Sequence, residues 1–303
     1  MGWLTDPLAY DFVLRALGEV VVMGATCGAV GAYVIVRRLA FIGDAISHAV
    51  FPGIVIAYLV GASIILGSMI AGLVTAVAIA FVARGGRIRE DTAIGIFFAA
   101  AFALGVVLIS TRRTFQGDLT AFLIGNLQGV SAGDILVSAA VGAAVLLCLA
   151  ALHKELLLAS FDRTMAQALG YPVFALDALL LVLLTVTIVV SIQAVGIILV
   201  LAMLVTPAAT ARLLVDRFVP MIVLGAFIGA GVGVAGYYLS FHAATASGAT
   251  IVLVATALFL LAFVASPSHG LLAHRLRRHP QHAAVAPAID APPGHSHGET
   301  GPT

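Results

Sequence analysis

"RRLAFIGDAISHAVFPGIVIAYLVG", residues 37 to 61, is apolar enough to lie in lipid, yet it carries a carboxylate, Asp44, and an imidazole, His48. Ionisable side chains are costly at bilayer depth, so the pair marks a candidate functional site. On a helix, residues four apart share a face, with Cβ atoms about 5–6 Å apart. At that spacing one divalent cation, with bonds of about 2.0–2.2 Å to oxygen and nitrogen, touches both side chains. The structural alternative is an N-cap, in which Asp44 follows Gly43 and His48 merely hydrogen-bonds back to it. On spacing alone the two readings stand level.

Working outward, the whole chain reads as an integral membrane protein. Of its 303 residues 62% are hydrophobic and only 10% charged, and mean hydropathy is +1.15. A soluble domain of this length needs far more charge to cover its surface. A bilayer core calls for about 20 apolar residues per helix. Runs of that size lie near 12–36, 39–60, 62–83, 91–110, 134–152, 173–191, 193–214, 219–240 and 248–265. The expected fold is therefore all-α, a polytopic transmembrane bundle of eight to nine spans. The count is open because Asp44, His48 and Pro52 make the second span irregular, and irregular backbone is tolerated where it lines a cavity or is buried in protein. Residues 1–265 form the expected transmembrane domain and 266–303 a disordered His/Pro-rich tail.

Basic residues set the expected orientation. Arg37, Arg38, Arg84, Arg87, Arg89, Lys154, Arg163, Arg212, Arg217, Arg275, Arg277 and Arg278 fall on one side, and only Arg15, Arg112 and Arg113 on the other. The positive-inside rule puts the first group, and the C-terminus, in the cytoplasm, with the N-terminus outside. "MGWLTDPLAYDF" has no basic cluster and no cleavage pattern, so the first span is expected to anchor itself. The loop 111–134 then faces outward, and its "LTAFLIG" stretch reads equally as a re-entrant helix or a solvated connection. Asp118, Asn126 and Gln128 in that loop are candidate contacts for an outside partner.

Several functions are excluded. Net charge is +1 and the arginines are scattered, which argues against nucleic acid. The chain has no GxxxxGK[ST] loop for ATP and no HExxH for an intramembrane zinc protease. Cys27 and Cys148 lie within apolar runs without CxxC spacing and read as core residues. No internal repeat is visible. Gly225, Gly229 and Gly233, like Gly24 and Gly28, form small-residue faces for close helix packing, within the chain rather than at a dimer seam. Pro207 should bend the seventh span, since it removes a backbone donor and clashes one turn back. In the loop 153–173, Asp162 is placed to cap a short helix that starts at Arg163 and stops at Gly170, before Pro172. Asp177, near the cytoplasmic end of its span, is placed to snorkel or to pair with a neighbouring helix, and Glu90 and Asp91 suit the start of the fourth span.

Four blocks then carry a resemblance: "RRLAFIGDAISHAVFPGIVIAYLVG", "EDTAIGIFFAAAFALGVVLIS" (90–110), "SFDRTMAQALGYPV" (160–173) and "QAVGIILVLAMLVTPAATARLL" (193–214). In this order, from about Val36 to Pro267, the chain resembles the permease subunits of ATP-binding-cassette importers for zinc, manganese or iron. The resemblance implies a bacterial, multi-pass cell-membrane permease that works as a homodimer, with a cytoplasmic ATPase on each copy and an extracytoplasmic metal-binding protein. It assigns metal handling to Asp44 and His48 of "GDAISHA". It assigns ATPase coupling to the segment from Ser160 to Gly170, with Ser160, Phe161, Asp162, Ala166, Leu169 and Gly170 matching the family pattern.

The donor chemistry agrees with that assignment. One chain offers an O,N pair, too few ligands for a dehydrated ion, whereas two copies across a two-fold axis offer two carboxylates and two imidazoles. Zn2+ is satisfied by that set as it stands, and Mn2+ with added carboxylate oxygen or water; Fe2+ is the third candidate cargo. No permanently bound cofactor is expected, and the chain is not an enzyme by itself. The alternative is a proton-coupled secondary carrier using the same pair, since imidazole titrates in the physiological range. A permease for larger chelates would need a wide chamber, which a narrow Asp–His pair does not suggest. Six of the nine histidines, His269, His274, His279, His282, His295 and His297, lie in the tail, which reads equally as a metal buffer or an incidental low-complexity segment.

Overall fold

A computed structural model describes residues 7–84, 88–110, 125 and 127–266. Twelve α-helices run through them: α1 (Asp11–Val36), α2 (Ile42–Ala49), α3 (Phe51–Val60), α4 (Ile64–Ala83), α5 (Glu90–Ser110), α6 (Ala132–Ala151), α7 (His153–Phe161), α8 (Arg163–Ala168), α9 (Val173–Val195), α10 (Ile197–Leu214), α11 (Phe218–Ala243) and α12 (Ser247–Ala265). With α2 and α3 taken as one crossing, nine segments among the described residues are long and apolar enough to span a bilayer. The all-α expectation holds, and the count resolves to the upper value.

The second crossing is irregular at its middle, as expected. Helix α2 gives way to α3 at Val50, and Pro52 sits in the first turn of α3. A proline has no N–H to offer the carbonyl four residues back, here that of His48. Chain ends of the other segments follow local chemistry. Gly61 takes the left-handed conformation (φ 69°) and ends α3, with the Ala62 N–H returning to the Ala57 carbonyl at 2.8 Å. Gly196 (φ 84°) separates α9 from α10. At the start of α6, Ser131 and Asp134 form a reciprocal capping box.

The core is built on α1, whose central stretch is buried almost without interruption. It packs chiefly against α11 and α10. Gly24 faces Gly229 and Gly28 faces Gly225 so closely that an added Cβ would meet the partner's backbone carbonyl. The glycine faces are thus used within the chain, as expected from their spacing. Gly233 instead lies against Val20, and Gly31 against the Leu204 carbonyl. Pro207 is buried inside α10, which continues as one helix from Ile197 to Leu214. On the outer side, Leu66, Ile70, Val74, Val77 and Phe81 of α4 recur at helical spacing and are at least half exposed. That is a lipid-facing stripe, too long and continuous to be left open to water.

The loop between the fifth and sixth spans holds the expected short helix from Arg163 and a second one before it. Leu152 marks a bend between α6 and α7, and α8 follows α7 at Asp162. The "LTAFLIG" stretch except Gly125, the positions Asp118 and Asn126, and the tail beyond Ser266 lie outside the described residues; Gln128 is described and exposed.

Candidate metal site

Asp44 and His48 project from the same face of α2. His48 Nε2 stands 3.5 Å from Asp44 Oδ1, with the His48 side chain 29% and the Asp44 side chain 48% exposed. The capping alternative fails, because the N-cap of α2 is Phe41 and it makes no side-chain cap bond. The separation also exceeds the usual N–H···O range of about 2.7–3.2 Å. It matches a different geometry: two ligands each about 2.1 Å from a tetrahedral ion stand about 3.4 Å apart.

Aromatic packing fixes the imidazole. Phe98 and Phe102 of α5 meet the His48 ring edge-on, with centroids at 5.3 and 5.4 Å. Gly105, one turn further along α5, leaves the space that Phe51 fills. At 1.5 Å per residue, Phe98 and Phe102 lie about 12 and 18 Å from the start of α5, so His48 sits near the middle of the bundle. Gly43 lies against Leu201 and Leu204, near the middle of α10. Behind the pair, Ile42, Gly43, Ala45, Ile46, Ser47 and Ala49 are buried; in front, Phe41 is 74% exposed. Among the described residues no group of three or more His, Cys, Asp or Glu side chains comes together.

A second polar assembly lies at the end of the bundle that collects the arginines. Arg37, just after α1, pairs through Nη1 with Asp177 Oδ1 of α9. Arg163, the first residue of α8, reaches Asp177 Oδ2 and, at 2.9 Å, Glu90 Oε1 of α5. Arg37 Nε also donates to Ser160 Oγ of α7 at 2.8 Å. The Arg37 and Asp177 side chains are only 6% and 12% exposed. Burial alone would lower the Arg163 guanidinium's pKa, but the adjoining Asp177 and Glu90 carboxylates hold it above its ordinary value. Its charge therefore persists across the usable pH range. Of the two alternatives for Asp177, pairing holds, and it joins two arginines.

The segment read as the coupling element has the anticipated local form. Asp162 caps α8, accepting from the Met165 N–H at 2.8 Å, and Gly170 takes φ 82° beyond its end. Ala166 is buried and anchors the helix. Phe161 (70%) and Leu169 (58%) are exposed. Met165 of α8 is also exposed (49%), so three apolar side chains on either side of the Asp162 break are open. Ser160 does not belong to that set: it faces inward to Arg37 and the Leu156 carbonyl.

Sequence reasoning overlooked Glu19. This carboxyl is fully buried in α1, where Ser138 Oγ of α6 donates to its Oε1 at 2.7 Å. Its signal was present, a lone acid inside a continuous apolar run. Cys27 is buried beside Ser191, and Cys148 is partly buried.

Comparison with known proteins now places the chain. The model of the ABC 3 transport family matches residues 9–266. The chain belongs to that family. A relative in Halalkalibacterium halodurans, the manganese transport system membrane protein MntC, is 48% identical over 88% of this chain and 91% of its own length. The chelated iron transport system membrane protein YfeC of Yersinia pestis is 36% identical over 91% of this chain and 96% of its own. Among solved structures, PsaBC from Streptococcus pneumoniae in complex with Fab aligns at TM-score 0.78 with 38% identity, covering 90% of this chain and 98% of that one. The chain is thus a multi-pass cell-membrane permease subunit of an ABC transporter.

Proposed function

We propose that this permease imports a bare divalent transition-metal ion, with Mn2+ the favoured cargo, and that Asp44 and His48 are the ligands that pass it across the membrane. The observation that carries this reading is the 3.5 Å Asp44–His48 separation on a half-open face at mid-depth. A carboxylate oxygen and an imidazole nitrogen suit Mn2+, Fe2+ or Zn2+. The manganese and iron named for the relatives MntC and YfeC support a cargo of this class. Membership in an ABC family favours ATP as the energy source over the gradient-driven alternative.

Two ligands hold an ion weakly, so a second copy of the chain supplies the other pair across a two-fold axis. The half-exposed faces of Asp44 and His48 allow this, since one chain leaves them uncovered. The imidazole must be neutral to ligate, and the ring clasp of Phe98 and Phe102 presents it without a rotamer search. A site of shared, proton-competed ligands releases its ion as readily as it takes it, which suits passage rather than storage. The arginine-rich end faces the cytoplasm under the positive-inside rule, with the N-terminus outside and the C-terminus inside. There the exposed apolar side chains Phe161, Met165 and Leu169, at the end of α7 and along α8, seat in a separate ATPase subunit. An extracytoplasmic binding protein delivers the ion at the opposite end.

Uptake of radioactive Mn2+ by proteoliposomes holding the permease with its ATPase is the test. Asp44→Ala and His48→Ala should each lower ATP-dependent uptake by roughly a hundredfold, with assembly unchanged. Undiminished uptake in either assembled variant would refute the assignment.

A further inference from the structure

The ion-pair assembly at the arginine-rich end has no part in the proposed metal pair, yet it ties the end of α1 and the start of α5 to the run α7, α8 and α9. Arg37 follows α1, Glu90 opens α5, Ser160 lies on α7, Arg163 opens α8 and Asp177 lies on α9. Its two halves differ. The Arg37–Asp177 pair is nearly sealed, whereas the Arg163 side chain is 50% exposed and Glu90 24% exposed. A cleft of about 750 Å³ opens beside Arg163, Glu90 and Asp177. The inner pair is therefore a fixed post, and the outer pair is a joint with room to move.

That joint connects to the metal pair by one rigid body. Glu90 is the first residue of α5, and Phe98 and Phe102 on the same helix clasp the His48 ring. Among the described spans α5 is the least buried within one chain. A shift of its basic end is carried along the axis to both rings, because a helix of this length moves as a rod.

We infer that the Arg163–Glu90 ion pair is the joint through which α8 moves α5, and that α5 in turn sets the His48 ring relative to Asp44. Asp177 and Arg37 hold Arg163 in register. Arg163 and Glu90 are positioning residues, acting on the cargo only through α5. The inference rests on the proposed metal and coupling roles, and it names the physical link between them.

The test uses the full permease–ATPase complex in proteoliposomes with Mn2+ as the probe. Metal moved per ATP hydrolysed and equilibrium Mn2+ binding without nucleotide are read in parallel. Glu90→Gln should leave ATP hydrolysis and Mn2+ binding within about twofold of the parent, while metal moved per ATP falls roughly fivefold or more. Arg163→Lys, which keeps a charge beside Asp177 but shortens the reach to Glu90, should give a smaller fall in the same ratio. It serves as the deciding variant if Glu90→Gln does not assemble. An unchanged ratio in an assembled variant overturns the inference, as does a ratio lost only in step with Mn2+ binding. Asp44→Ala on the same preparation separates the two proposals. If it still binds Mn2+, the metal-site reading fails; if it does not, and Glu90→Gln transports normally per ATP, only the joint fails.

Discussion

Two polar groups interrupt this apolar bundle, and they are finished to different degrees. At the arginine-rich end, Asp177 meets two arginines, and Arg37 and Arg163 each touch a further partner, within a single chain. At mid-depth, Asp44 and His48 face each other at 3.5 Å with both side chains partly open. A set that satisfies its own charges has no need of a ligand, and its cost and benefit both belong to the fold. The mid-depth pair, by contrast, is open on one side. Under the proposed function, the contrast separates residues that hold the permease together from the two that handle its cargo.

The largest expected effect tests that separation through stability. Asp177→Ala leaves Arg37 buried with only a hydroxyl for company, and one of its nitrogens, Nη2, already lacks a partner among the described residues. Breaking such a pair should cost about 3–5 kcal/mol, read as a fall in the thermal midpoint of the purified protein. Asp44→Ala, at a half-exposed position with no hydrogen-bonded partner to strand, should stay within about 0.5 kcal/mol. Equal losses would erase the distinction. A smaller effect sharpens it from the cargo side. Truncating Phe98 or Phe102 to alanine frees the His48 ring, so Mn2+ affinity should fall roughly tenfold. Titration of the assembled protein reads this directly, and an affinity unchanged in both variants would show that the rings do not position the ligand.

Much of this was legible in the chain itself. Periodicity is not needed to find spans when apolar runs are this long, and their limits agree with the helices to within a few residues. The α8 cap and its glycine stop could be read because Asp162, Arg163 and Gly170 act locally. The Asp44–His48 pairing was visible for the same reason, one turn of one helix. The ion-pair assembly was not. Its partners are separated by 14 residues for Arg163–Asp177, 73 for Arg163–Glu90 and 140 for Arg37–Asp177. Only the packing of α1, α5 and α9 around α8 brings them together. The phenylalanine clasp was equally hidden, since Phe98 and Phe102 look like any other apolar residues of a lipid-spanning helix. The end of the fifth span at Leu152 was read from the charged residues that follow it, but the helix α7 that starts there was not.

The most direct measurement is the stoichiometry of Mn2+ binding to the nucleotide-free permease assembly, followed by metal analysis after gel filtration. A site shared across a two-fold axis predicts one ion for every two chains, lost in Asp44→Ala and in His48→Ala. One ion per chain, or binding that survives both substitutions, would contradict it.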